Sequence, residues 1–331
     1  VIEATEIRAH GWRTLADILD SMPGLFVSSD RLYSYLGVRG FIRPSDYNTN
    51  YLILLDGLPL NDNIYNQAYL GSEFILDTEL IDRVEFVPGP GSSIYGANAI
   101  LGVVNVITRS GRQERGGRIG IAAGTGGEVG LRASQGSAVP GRDWLLSASH
   151  ISTEGVSMAL PNSLGVTRRT DRERVDRAYG KYGSGDFSLA MAISERERQL
   201  PAGAFATVVD DPRARIRDRQ FSLGLRHERE YTPGLSVALR ANIGASDYHG
   251  IYTYEDDLVS PDISHGRWIG LEARAVDLRL PGHKWLYGID AQYDWRQDQR
   301  NYDIEPYALY IDDKRDGNRY GVYAQDELRL G

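Results

Sequence analysis

From about Gly116 onward the sequence alternates apolar and polar residues over stretches too long for an ordinary globular sheet, which limits the possible folds more than any other feature. Leu235, Val237, Leu239, Ala241 and Ile243 are interleaved with Ser236, Arg240 and Asn242. Trp285, Tyr287, Ile289, Ala291, Tyr293 and Trp295 are interleaved with Gly288, Asp290, Gln292, Asp294 and Arg296, and Phe187 to Ser194 repeats the pattern. A period of two puts each set on one face of a strand. The strands read as about 14 to 18 residues, against the usual five or six, and that is enough to cross a bilayer at a tilt. Their connections also alternate. Short turns fall at 139–141, 183–185, 232–234 and 281–283, and long stretches at 154–172, 201–214, 252–264 and 301–317. A soluble sandwich shares the period, but short turns on one side and long loops on the other are the pattern of a transmembrane barrel.

The first third differs. Thr14 is positioned to cap a short amphipathic helix with Leu15, Ile18 and Leu19 on one face, stopped by Pro23-Gly24. Phe26 to Gly40 alternates loosely as one run. Tyr51 to Leu55 reads as a strand closed by the turn pair Asp56-Gly57. Between Leu80 and Gly111, two β-type runs, Val84 to Val87 and Leu101 to Ile107, flank a Pro88-Gly89-Pro90-Gly91 hinge. Two polar, aromatic loops, 42–50 and 61–71, project from this small sheet.

Several chemistries are disfavoured. The net charge is −8, so a phosphate-binding face for nucleic acid is not expected. Cysteine is absent, and the six histidines show no metal-ligand spacing. The segment Gly89 to Gly96, GPGSSIYG, lacks the Gly-Lys-Ser/Thr of a phosphate loop, and Ser92 and Ser93 lie in no nucleophile elbow. Neither an enzyme nor a cofactor is expected. No run of about 18 apolar residues marks a transmembrane helix, whereas a barrel hides its hydrophobicity in alternation. The 20 Tyr and 5 Trp against 7 Phe favour a boundary between water and an apolar phase.

The segments VIEATEIRAHGWRTLADILDSMPGL, Val38-Arg39-Gly40-Phe41, LILLDGLPLND and IDRVEFVPGPGSSIYGANAILGVVNVITR, in that order, resemble the plug domain of TonB-dependent outer-membrane receptors. The closing YAQDELRL resembles one of their barrel strands. The resemblance implies an α+β plug over residues 1–111, a linker at 112–117, and the N-terminal part of an antiparallel transmembrane β-barrel over 118–331. The family barrel has about 22 strands. About ten are legible here, so a fragment is expected. It also implies a location in the bacterial outer membrane and uptake of a scarce nutrient, a ferric siderophore first, with cobalamin, haem or an oligosaccharide as alternatives. The implied partners are outer-membrane lipid, a small-molecule ligand such as a metal chelate, and TonB, which the family contacts through a segment upstream of the plug and outside this chain. A protein-recognition surface or a soluble β-rich binding module is the reading from another class.

Ligand contacts are expected where the plug loops meet the barrel wall. The candidates are Arg43, Asp46, Tyr47 and Asn48, then Asn63, Tyr65, Asn66, Gln67 and Tyr69, and from the wall Tyr248, His249, Tyr252 and Tyr254. In the resembled family an Arg at the position of Arg39 pairs with barrel carboxylates and holds the plug. Where the family has Arg-Gly-Pro this chain has Pro88-Gly89-Pro90, so Arg83 is the candidate for the second half of that lock.

Overall fold

The computed structural model describes all residues except 43–45, 158, 160–165, 168–170, 201–202 and 330–331. Its N-terminal unit begins with β1 (Ile2–Glu3), α1 (Ala4–His10) and α2 (Leu15–Asp20). Thr14 opens α2 with a capping box: its hydroxyl accepts from the Asp17 N–H, and the Asp17 carboxylate accepts from the Thr14 N–H. Leu15, Ile18 and Leu19 are fully buried on the inner face of that helix. The run from Phe26 to Gly40 is a hairpin, β2 (Leu25–Ser29) and β3 (Ser34–Val38), instead of one strand. The Asp30 carboxylate accepts from the N–H groups of Leu32 and Tyr33, both at 2.8 Å, and Arg31 takes a left-handed φ of 74°, so the chain must reverse there.

Next come β4 (Tyr51–Leu55), β5 (Leu58–Pro59), β6 (Ile81–Pro88), α3 (Ser92–Tyr95) and β7 (Gly102–Thr108). The sheet order is β1-β6-β7-β4-β5, with β4 and β7 parallel. All five residues of β4 are buried, as suits a strand covered on both faces. The hinge Pro88 to Gly91 ends β6 and leads into the single turn α3 before the chain returns as β7, antiparallel to β6.

A second sheet holds β8 (Gly116–Gly124), β9 (Glu128–Val139), β10 (Arg142–Thr153), β11 (Glu173–Ser184), β12 (Phe187–Gln199), β13 (Arg215–Thr232), β14 (Leu235–Thr253), β15 (Val259–Asp277), β16 (His283–Asp303) and β17 (Ala308–Leu328). These ten strands lie in sequence order, and every pairing is antiparallel. Two of the expected long loops are not loops. Pairing continues to Thr253 with Val259 and to Asp303 with Ala308, so residues 252–264 and 301–317 are mostly strand, and β14 to β17 reach 19 to 21 residues.

The apolar face of this sheet points away from the N-terminal unit. Phe187, Leu189, Met191 and Ile193 on β12 are 40–54 % exposed, and Leu239, Leu271 and Ile289 repeat this on neighbouring strands. A sandwich would bury that face against another sheet. A continuous apolar exterior with Trp285, Tyr287 and Trp295 also exposed is what a lipid-facing wall requires. Among the described residues no helix is long and apolar enough to cross a membrane.

Candidate functional site

The N-terminal unit is fastened to the inner face of the ten-stranded sheet by charge. Arg196 on β12 is the most buried of these anchors, with its side chain 1 % exposed. It donates to Glu73 at 2.9 Å and to the Leu32 carbonyl at 2.8 Å in the N-terminal unit, and to Asp218 on β13 at 3.0 Å. Tyr33 donates to the other oxygen of Asp218, and the Arg196 guanidinium lies 4.9 Å from the centre of the Tyr33 ring. Arg132 pairs with Asp77 at 2.8 Å, and Lys181 with Asp56 at 3.0 Å. Asp56 belongs to the turn after β4 and also accepts from the N–H and hydroxyl of Thr108.

In these three pairs the carboxylate comes from the N-terminal unit and the cation from the sheet, the reverse of the lock expected from Arg39 and Arg83. Arg39 is exposed at a turn with φ 50° and enters no ion pair among the described residues. Arg83 pairs on its own strand, at 2.8 Å with Glu85, which is two residues on along the same face of β6, and at 3.1 Å with the adjacent Asp82.

Above this anchor lies a cavity of about 290 Å³ walled jointly by the two units. Tyr33, Tyr35, Tyr47, Asp62, Tyr65, Gln67 and Tyr69 come from the N-terminal unit; Tyr248, Tyr252, Tyr254, Asp262, Ser246, Ser264 and Asn301 come from the sheet side. The rings of Tyr47 and Tyr65 stack at 5.2 Å, and Phe205 meets Tyr252 edge to face at 5.6 Å. Tyr69 bridges the units through Asp62 and Ser246, each at 3.3 Å. A few convergent polar groups between aromatic walls are the composition that small-molecule sites use.

Tyr47, Tyr65, Gln67, Tyr69, Tyr248, Tyr252 and Tyr254 are thus brought together. The other candidates go elsewhere. Arg43 lies outside the described residues. Asp46 accepts from the Asn48 N–H within its own loop. Asn48 is buried, accepting from the Leu36 N–H and donating to the Ser34 and Ala68 carbonyls, so its amide is consumed in fixing the loop. Asn63 donates to the carbonyls of Arg267 and Arg296, where the pairing of β15 and β16 shifts register. Asn66 accepts from Arg319 and faces a second cavity of about 540 Å³ on the other side of the 61–67 loop. His249 is exposed on the outer face of β14, because it is one residue out of phase with Tyr248 and Tyr252. Tyr33 and Tyr35 are additions; they fall in the turn and second strand of a hairpin that had looked like one run.

Burial dominates the ionisation of the plug-side groups. It pushes the Tyr33 and Tyr69 hydroxyls well above the ordinary tyrosine value of 10.0, with nearby Asp218 and Asp62 adding to the shift, and it raises Tyr47 and Tyr65 as well. A folded-state value above the unfolded one stabilises fully below the unfolded value and fades as pH rises through the folded one. Tyrosinate absorbance at 295 nm should therefore include a class that appears only as the cavity opens in strongly alkaline solution. Titration of all 20 tyrosines in one step near pH 10 while the fold persists would contradict the buried cavity.

Comparison with known proteins gives a consistent result. Residues 1–103 match the family model described as TonB-dependent Receptor Plug Domain. The vitamin B12 transporter BtuB of Vibrio vulnificus (strain CMCP6) is 31% identical over 201 residues, covering 58% of this chain and 31% of that protein. An iron-regulated outer membrane virulence protein of Vibrio cholerae is 28% identical over 206 residues, covering 60% and 28%. The chain thus spans about a third of the length of the curated relatives it matches. The unliganded ferric citrate transporter FecA superposes with a TM-score of 0.74 over 97% of this chain and 52% of that one, at 15% identity, a likeness of fold.

Proposed function

This chain belongs to the TonB-dependent receptors, carrying their plug domain and strands of their barrel, and we propose that it takes up a metal chelate across the bacterial outer membrane. A ferric siderophore is the first expectation and a cobalamin the second, in line with what the relatives are named for. The observation that carries this reading is the shared cavity. A ligand seated among Tyr47, Tyr65, Tyr248 and Tyr252 touches plug and wall at once, so occupancy is felt by the part that must move. Directly beneath it Tyr33 joins the cavity to Asp218, Arg196 and Glu73, the anchor that TonB-driven displacement has to break. The second cavity, on the far side of the 61–67 loop, gives a released ligand somewhere to go.

Titrating the detergent-solubilised receptor with ferric siderophores and cobalamin, followed by intrinsic fluorescence, tests this. Tyr65→Ala and Tyr252→Ala should each weaken the bound ligand about tenfold, ~1.4 kcal/mol, without altering heat-modifiable gel mobility. Unchanged affinity in both variants would show that the cavity is not the binding site.

A further inference from the structure

The outer cavity carries a charge bias that nutrient uptake in general does not require. Asp62 and Asp262 line it, and among the described lining residues there is no Lys, Arg or His. The Arg196 guanidinium is shut behind the Tyr33 ring and already engaged by Glu73 and Asp218. Asp62 is internally satisfied, accepting from the N–H groups of Ile64 and Tyr65 and from the Tyr69 hydroxyl. Asp262 on β15 differs. It is half-buried, pairs with no cation among the described residues, and receives only the backbone N–H of Ile263. Around it stand tyrosine rings, whose negative faces attract cations and whose hydroxyls donate to acceptors. An anionic ligand group would meet two carboxylates with no counter-charge among the described lining residues, whereas a cationic one would meet both a carboxylate and ring faces.

We propose, on the basis of the receptor reading above, that this cavity is cation-selective. It takes the positively charged portion of its ligand, an ammonium, amidinium or quaternary nitrogen, against the tyrosine faces with Asp262 as counter-charge, and it rejects chelates that present a carboxylate there. At about 290 Å³ the cavity sits at the small end of ligand sites, which suits the charged end of a chelate better than a whole one.

Three ferric trishydroxamates with a common uncharged iron core test the idea on the complete receptor in detergent: ferrioxamine B with its protonated amine arm, its N-acetyl derivative, and its N-succinyl derivative. Fluorescence titration at pH 7 should rank them cationic, neutral, anionic, with about a tenfold gap between the ends. Asp262→Asn should collapse that gap to about twofold or less, and Asp262→Glu should keep most of it. Equal binding of all three, or a gap unchanged in Asp262→Asn, overturns cation selection while leaving uptake of a chelate standing. If none of the three binds and no ferric siderophore or cobalamin binds either, the receptor reading falls and this proposal with it.

Discussion

Replacing Arg196 with alanine is expected to weaken the hold of the barrel on the plug by about 3–5 kcal/mol, the usual result of removing one member of a buried ion pair. The loss arises less from missing attraction than from what stays behind. Glu73 and Asp218 would remain buried, at 2 % and 3 % side-chain exposure, without the guanidinium that both now face. Arg196→Lys should recover only part, since an ammonium cannot fork between Glu73, Asp218 and the Leu32 carbonyl. Arg196→Met combined with Glu73→Gln and Asp218→Asn should recover much more, because no charge is then left stranded. Urea-induced release of the plug in detergent, read by proteolysis, measures the difference. A plug in Arg196→Ala as firmly held as in the wild type would remove the anchor from the mechanism.

The same variant has a pH signature. Burial already raises the Glu73 carboxyl above its ordinary 4.5, with Arg196 pulling the other way. Without Arg196 the rise is larger. A raised folded-state value favours the folded plug below about 4.5 and withdraws that stability as pH climbs through the folded value, so the deficit of Arg196→Ala should be greater at pH 8 than at pH 5.

Much of the architecture was legible because single residues with local effects announced it. Thr14 caps its helix, Asp56-Gly57 closes β4, and the alternation in β12, β14 and β16 marks an outward apolar face. The site was less legible, because it depends on phase and register between distant segments. His249 is one residue away from the face that Tyr248 and Tyr252 share; their spacing of four was the available signal. Asn48 and Asn63 look like ligand contacts in composition, yet both amides are spent on backbone carbonyls. Arg196 sits in a run, Glu195 to Arg198, that reads as solvated charge. Only the pairing of Arg196 with Asp218 across β12 and β13, and the placement of Glu73 beneath them, turns it into an anchor. No local rule encodes a contact between residues 123 positions apart.

Gly111→Ala should be nearly as damaging, through a junction whose composition suggests a flexible linker. The chain between β7 and β8 is instead a strap pressed on the β9–β10 hairpin. The Asp143 carboxylate accepts from the N–H groups of Gly111 at 2.8 Å and Arg112 at 3.0 Å. Arg109 and Glu114 form a buried ion pair beside it, and Ser134 donates to Glu114. A Cβ on Gly111 would lie 1.9 Å from the Trp144 carbonyl oxygen and 2.6 Å from that of Ser137, and backbone atoms cannot rotate away as a side chain can. The strap must therefore lift. The overpacking costs about 1–3 kcal/mol and loss of the Gly111 hydrogen bond to the Asp143 carboxylate about 1.5–3 kcal/mol, which together put the effect at about 2.5–6 kcal/mol. Gly136 faces Gly111 from the hairpin, and a Cβ there would come within 2.9 Å of the Gly111 backbone, so Gly136→Ala should act in the same direction. Gly117→Ala is the matched control, since its Cβ would meet only the Ser134 carbonyl at 3.9 Å. Once the strap lifts, the buried Arg109 is uncovered and the backbone at Arg112 and Arg115, whose side chains are already exposed, becomes free to enter trypsin, which should separate the plug from the barrel strands quickly in Gly111→Ala and slowly in the wild type and Gly117→Ala. Equal cleavage in all three would mean that the strap is already loose, and that plug and barrel are joined mainly through Arg196 and its neighbours.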